Sequence, residues 1–228
     1  MTLQPIILLA SARKDSDTKG FLDKVFKNTN HKIMDLLDFS IQHYDYNHQY
    51  SAEDEFFKII EEEVSPHQAI VFATPVYWYA MSGLMKIFFD RLTDLVTIKK
   101  QLGRQLKGKS TFLLAVGTDE EMPAGFETPF KLTSVYLNMS YEGCIYYSTK
   151  TSKKQEHIQD SIDNFISRIK RNMTDFCGTY KMKRNICRLL PPKAGPSAVC
   201  RLPSAVCSLP FHPAFGGTVC RFTLSFKI

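Results

Sequence analysis

Short apolar runs alternate along this chain with stretches in which apolar residues recur every three or four positions. Ile6–Ala10, Lys32–Leu36, Ala69–Ala73, Thr111–Gly117 and Tyr141–Tyr147 read as β-strands. The first, third and fourth are nearly continuous apolar runs, the pattern of strands covered on both faces. Phe21, Leu22, Val25 and Phe26 make one helical face, Phe56, Phe57, Ile59, Ile60 and Val64 a second, and Leu84, Met85, Phe88, Phe89 and Leu92 a third. Ile158, Ile162, Phe165, Ile166 and Ile169 mark the last. Five strands with interleaved helices predict an α/β fold, a doubly wound five-stranded parallel sheet with helices on both faces. Such sheets bind ligands beyond the carboxyl ends of their strands, where strand order switches. The loops after the first, third and fourth strands are therefore the places to look. Gln42–Ala52, polar and aromatic without period, reads as a long loop able to overhang them.

The alternation ends at Asn172. Beyond it Pro191, Pro192, Pro196, Pro203, Pro210 and Pro213 interrupt every candidate element, and Pro196–Leu202 is nearly repeated as Pro203–Leu209. Two domains are expected: a folded domain over 1–171 and an irregular tail over 172–228, disordered or non-native in origin. Charge sharpens the division. The formal net charge of +6 resolves into 21 Lys+Arg against 22 Asp+Glu in residues 1–172, and 8 against 1 in residues 173–228. Nucleic-acid binding calls for a basic stripe on a folded face, so none is expected here. Five of the six cysteines also lie in the tail, leaving Cys144 in the body, which reads as a reduced, cytoplasmic protein. No run approaches the roughly 18 apolar residues of a membrane span, and no signal peptide is read at the start.

Two loops carry candidate chemistry. The first strand empties into Ser11-Ala-Arg-Lys-Asp-Ser-Asp-Thr18, hydroxyl-rich and placed at a helix start. The third leads into Thr74-Pro-Val-Tyr-Trp-Tyr-Ala-Met-Ser-Gly-Leu-Met-Lys-Ile-Phe-Phe-Asp-Arg91, an aromatic loop running directly into an amphipathic helix. Together they resemble the flavodoxin-like NAD(P)H-dependent FMN reductases and quinone oxidoreductases. In that family the first loop reads roughly S-x-R-x-x-G-N-T and the third T-P-x-Y-x-x-x-x-[ST]-G-x-[ML]-K-x-[FL]-x-D-R. The resemblance covers about residues 1–171.

The resemblance implies a bound FMN and NADH or NADPH as co-substrate. Ser11, Arg13, Ser16, Asp17 and Thr18 would surround the phosphate, with the helix start supplying backbone amides. Pro75, Val76, Tyr77, Trp78 and Tyr79 would meet the ring, and Gly117 and Thr118 would close over it. Ser16 stands where the family commonly has Gly, so a positive φ would be costly there; Asp17 replaces a common Asn and could serve as the helix N-cap. Ser82 is placed to cap the next helix, Lys86 and Asp90 read as a surface ion pair, and Asp119–Glu121 as a solvated acidic run. No catalytic side chain is called, because flavin chemistry resides on the cofactor. No metal site is called, because no His/Cys/carboxylate set has ligand spacing. The expected activity is two-electron transfer from NAD(P)H to a small acceptor: a quinone, a flavin or a nitroaromatic. A homodimer is expected by family resemblance. The alternatives are a flavodoxin-type electron carrier without its own NAD(P)H activity and a flavin-free binding module.

Overall fold

A computed structural model of the chain describes residues 4–150 and 158–188. The chain divides into two units, Met1–Lys183 and Arg184–Ile228, and the fold described here is that of the first. Six strands, β1 (Ile6–Leu9), β2 (Lys32–Asp35), β3 (Ala69–Tyr77), β4 (Ala80–Met81), β5 (Ser110–Gly117) and β6 (Ser140–Ser148), form one sheet. The parallel strands run in the order β2-β1-β3-β5-β6, with β4 folded back antiparallel onto β3. Leaving β4 aside, this is the 2-1-3-4-5 order of flavodoxin-like sheets, whose switch point lies between β1 and β3. The expected doubly wound sheet is thus observed, with β4 as an addition.

Strict alternation along the central strands assigns each residue to a layer. Ile6, Leu8, Ile70, Phe72, Leu113 and Ala115 face one side, where they pack on Phe56, Ile59, Ile60, Met85, Phe88 and Phe130. Ile7, Leu9, Val71, Ala73, Phe112 and Leu114 face the other, against Phe21, Leu22, Phe26, Ile162, Phe165 and Ile169. The second layer comes from α1 (Asp17–Phe26) and the last helix. That helix runs as backbone from Ile158 to Arg188, past Asn172, with Met173 still buried in the core. The tail expected to be irregular lies, beyond Arg188, outside the described residues.

On the first face the apolar Phe56–Val64 stretch is not one ordinary helix. α2 (Phe56–Lys58) widens into a π-helical segment, Ile59–Val64, where the Ser65 amide reaches back to the Ile60 carbonyl at 2.8 Å. Beside it lie α3 (Gly83–Arg91) and the short α4 (Asp94–Thr97) and α5 (Lys100–Arg104). α6 (Thr128–Tyr136) was not legible in the periodicity, because Leu132, Val135 and Tyr136 leave apolar side chains exposed and blur its amphipathic pattern.

The loop Gln42–Ala52 is fastened to the end of α3 by a buried cation. Arg91, fully buried, donates to both carboxylate oxygens of Asp54 at 2.6 and 3.0 Å, to Asp94 at 2.8 Å and to the Gln42 carbonyl at 3.2 Å. The Tyr50 ring lies 3.6 Å from the guanidinium, and His48 Nδ1 lies 2.9 Å from the other oxygen of Asp94. Burial pulls the Arg91 pKa down, yet the hydrogen bonds to Asp54 and Asp94 outweigh it and hold the pKa above its ordinary value.

At the far end of the sheet Lys109, also buried, donates through Nζ to the carbonyls of Ser65 (2.7 Å) and His67 (2.5 Å). On the edge, the pairing of β5 with β6 shifts by one residue between Thr111 and Leu113, making a bulge that contains Gly143 at φ 121°. Cys144 follows it, a free cysteine whose thiol burial pushes up to about 11.

Two outcomes are expected. Arg91→Leu strands two buried carboxylates and should lower the unfolding free energy by about 3–5 kcal/mol in urea titrations. Burial lowers the Lys109 pKa from 10.5 to about 8. Between these values the unfolded chain binds more protons than the folded one, so Lys109 should make stability rise with pH across that window, by at most about 3 kcal/mol. Unfolding curves of the wild type and Lys109→Met, taken either side of the window, would show the rise only in the wild type.

Candidate active site

The loops after β1, β3 and β5 converge on a cleft of about 200 Å³. Ser11, Arg13, Ser16, Asp17, Thr18, Pro75, Val76, Tyr77, Gly117 and Thr118 line it, joined by Val116 and Thr149. The strand ends that set these two additions gave no motif; Thr149 is held by its amide on the Gly117 carbonyl at 2.8 Å. Trp78 and Tyr79 do not reach this cleft. They line an adjoining hollow of about 160 Å³ with Val76, Thr118 and Asp119.

In the first loop Ser16, not Asp17, is the helix cap: its hydroxyl accepts the Lys19 amide at 3.2 Å and Asp17 is the first helical residue. Ser16 has φ −104°, ordinary extended backbone, so the Gly-to-Ser departure carries no strain. Asp17 instead pairs with Arg13 at 3.6 Å, both side chains exposed. Lys14 bridges Asp35 (3.0 Å) and Asp38 (2.5 Å), fastening the loop to the end of β2. Ser11 is only 1% exposed, and its hydroxyl has no hydrogen-bond partner among the described residues although it lines the cleft. A buried hydroxyl with nothing to bond to is costly, and an anion in the cleft would satisfy it.

The third loop is a hairpin rather than an open loop. β3 runs on through Thr74-Pro75-Val76 to Tyr77 and turns at Trp78-Tyr79 into β4. Its base is fixed by Ser82. The Ser82 amide donates to Thr74 Oγ1 (3.0 Å), its hydroxyl donates to the Ala10 carbonyl (2.7 Å), and the same oxygen accepts the Met85 amide (3.2 Å) as the cap of α3. Lys86 and Asp90 form the expected exposed pair at 2.6 Å.

The loop after β5 hangs from the edge strand. The Tyr146 hydroxyl donates to the Asp119 carbonyl at 2.9 Å, and burial raises its pKa, helped by the Asp119 charge, so the donor stays protonated. A Cβ at Gly117 would fall 2.5 Å from that hydroxyl, so glycine is what lets Tyr146 pass. Residues Gln42–Ala52 do not line the cleft or the hollow. Among the described residues no group of three His, Cys, Asp or Glu side chains is placed to hold a metal, and no helix is long and apolar enough to cross a membrane.

Comparison with known proteins agrees with this geometry. The sequence matches the NADPH-dependent FMN reductase family over residues 5–142, which takes in all three cleft loops. The chain belongs to that family. Within it, the chain is 30% identical over 98 residues to YwqN of Bacillus subtilis (strain 168), whose name designates it a candidate NAD(P)H-dependent FMN-containing oxidoreductase. That match covers 41% of this chain and 54% of YwqN, so the chain spans about half the length of this relative.

Solved structures share the fold at low identity. RosB, with bound 8-demethyl-8-formylriboflavin-5'-phosphate, aligns at a TM-score of 0.62 and 15% identity over 94% of this chain and 100% of its own. The Trp repressor binding protein of Bacillus subtilis aligns at 0.54 and 20%, over 74% and 96%. General stress protein 14 of Treponema denticola, in complex with FMN, aligns at 0.50 and 20%, over 74% and 99%.

Ser82→Ala in this FMN reductase family member should cost about 1–3 kcal/mol, since the Ala10 carbonyl and Met85 amide lose a buried partner. Chemical denaturation measures that loss. Because Ala10 precedes Ser11, a parallel rise in hydrogen exchange at residues 10–18 is expected.

Proposed function

We propose that the cleft holds FMN and that the chain passes two electrons from NADH or NADPH to a small acceptor, a quinone, a flavin or a nitroaromatic. The observation that carries this reading is the buried, unpartnered Ser11 hydroxyl lining a cleft at the switch point of a flavodoxin-like sheet. Ser11 and Thr18, with the first amides of α1, would hold the phosphate, and Arg13 would exchange Asp17 for it. Pro75, Val76 and Tyr77 would border the ring on one side and Gly117 and Thr118 on the other, with Trp78 and Tyr79 at its exposed end. Bound FMN supplies the hydride acceptance and donation that no side chain here can perform. With a quinone the overall exchange is balanced: NAD(P)H, a proton and the quinone give NAD(P)⁺ and the hydroquinone.

What the protein contributes is position. The hairpin and the loop after β5 hold two planar partners in register and limit water around them. Among the described residues, those lining the cleft and the hollow fall between Ser11 and Thr149, and the reading places the function in the domain over 1–171. A homodimer belongs to the same reading, with the exposed Leu132, Val135 and Tyr136 of α6 as candidate contact. Cytoplasmic operation does too, supported by the free Cys144.

The test is the visible spectrum of the purified protein with FMN, followed anaerobically with NADH or NADPH. A bound flavin band that bleaches supports the reductase. A band that does not bleach indicates a carrier, and no binding indicates a flavin-free module. In FMN titrations, Ser11→Ala should weaken binding by about 10-fold or more, and Asp17→Asn should tighten it about threefold by removing a carboxylate beside the phosphate.

A further inference from the structure

Trp78 and Tyr79 are both left-handed, at φ 48° and 63°. A two-residue hairpin turn of this hand is the natural place for Asn-Gly, and bulky residues are strained in it. Neither ring is buried in return: Trp78 is 94% and Tyr79 70% exposed. The turn therefore presents two aromatic faces at the rim of a hollow that shares Val76 and Thr118 with the cleft. Among the described residues the charged one lining that hollow is Asp119, anchored through its carbonyl by Tyr146. Glu120 and Glu121 follow it in the same loop, both exposed. The hollow is thus bordered by two aromatic rings and the Asp119 side of the loop after β5.

Resting on the reading that FMN fills the cleft, we propose that Trp78 and Asp119 select the electron acceptor. Trp78 supplies the face on which a planar ring stacks. The Asp119 carboxylate repels anions approaching the same place, so the acceptor class is planar ring compounds without negative charge. An acceptor bearing a sulfonate or phosphate near its ring would be disfavoured. At the separations of a hollow this size, one unscreened carboxylate is worth about fivefold or more in the affinity of a monoanion, and less at high salt.

The experiment uses the full-length holoprotein with 1,4-naphthoquinone and its 2-sulfonate as acceptors at saturating NADH, with bound flavin measured spectrally in every variant. The wild type should show a KM for the sulfonate about fivefold or more above that for the uncharged quinone. Asp119→Asn should bring the two together with flavin content unchanged, as should high salt in the wild type. Trp78→Ala should raise both KM values by about three- to tenfold, with Trp78→Phe recovering most of the loss.

Trp78 is the one tryptophan in the sequence, so its emission gives a readout independent of turnover. Saturable quenching by the uncharged quinone is expected, and purely linear, collisional quenching would count against stacking. If the wild type binds no FMN, the parent reading and this one fall together. If FMN binds and is reduced by NADH, but both variants keep the wild-type KM values, this inference alone is wrong. Should Trp78→Ala instead shift the elution volume and leave KM unmoved, the ring is an interface with another copy and the assignment is overturned.

Discussion

Three parts of the site are joined at one residue, Ser82. The Ser82 hydroxyl gives its hydrogen to the Ala10 carbonyl just past β1 and accepts the Met85 amide in the first turn of α3, while the Ser82 amide holds Thr74 on β3. All of this is buried, so none of these polar groups can turn to water instead. The first cleft loop, the aromatic hairpin and the third helix therefore cannot move independently. The direct β1–β3 link, from the Ala10 amide to the Ala73 carbonyl at 2.9 Å, lies one residue from the start of the Ser11 loop. Flexible loops would give a cleft of variable shape; these two begin from a common fixed point.

Electrostatics divides the same way, between charges that hold the fold and charges that face a ligand. Arg91 is surrounded by Asp54, Asp94 and the Tyr50 ring and has no exposed surface, so its work is structural. Removing water from a guanidinium is affordable here because two carboxylates and a carbonyl take nearly all of its donors. Arg13 and Asp17 sit in the open, and solvent screens their pairing, which leaves the guanidinium available to an incoming anion.

The layered sheet was legible in the sequence because buried parallel strands leave almost no choice of residue: Ile6–Leu9 and Ala69–Ala73 can hardly be anything else. The cleft loops were legible through motif and through their position after those strands. The Ser82 cap was readable for the same reason, a hydroxyl just before an amphipathic run. Other features depend on contacts that are distant in sequence. Arg91 follows Asp90 on the helix after the hairpin, and nothing near it in sequence marks it as buried; residues 37 and 49 positions away close around it. The hairpin turn defied its own propensity, since Trp-Tyr is not turn chemistry. α6 hid because its outward face is apolar, and the choice of Ser16 over Asp17 as cap is a matter of one backbone angle.

The bulge at Gly143 lies at the opposite end of β6 from the cleft, yet it decides which tyrosine the cleft receives. With the extra residue absorbed there, Ala115 pairs with Tyr146 and Val116 with Tyr147. Tyr146 then reaches Asp119, while Tyr147 stacks on Phe21 at 4.6 Å in the other layer. A straight strand would slip by one residue and exchange the two faces. Tyr147 would then stand on the side of the acidic loop, and Tyr146 would take its place against Phe21. A left-handed glycine on the sheet edge thus works as a spacer that sets the phase of the strand, and the shape of the site is the readout of that phase.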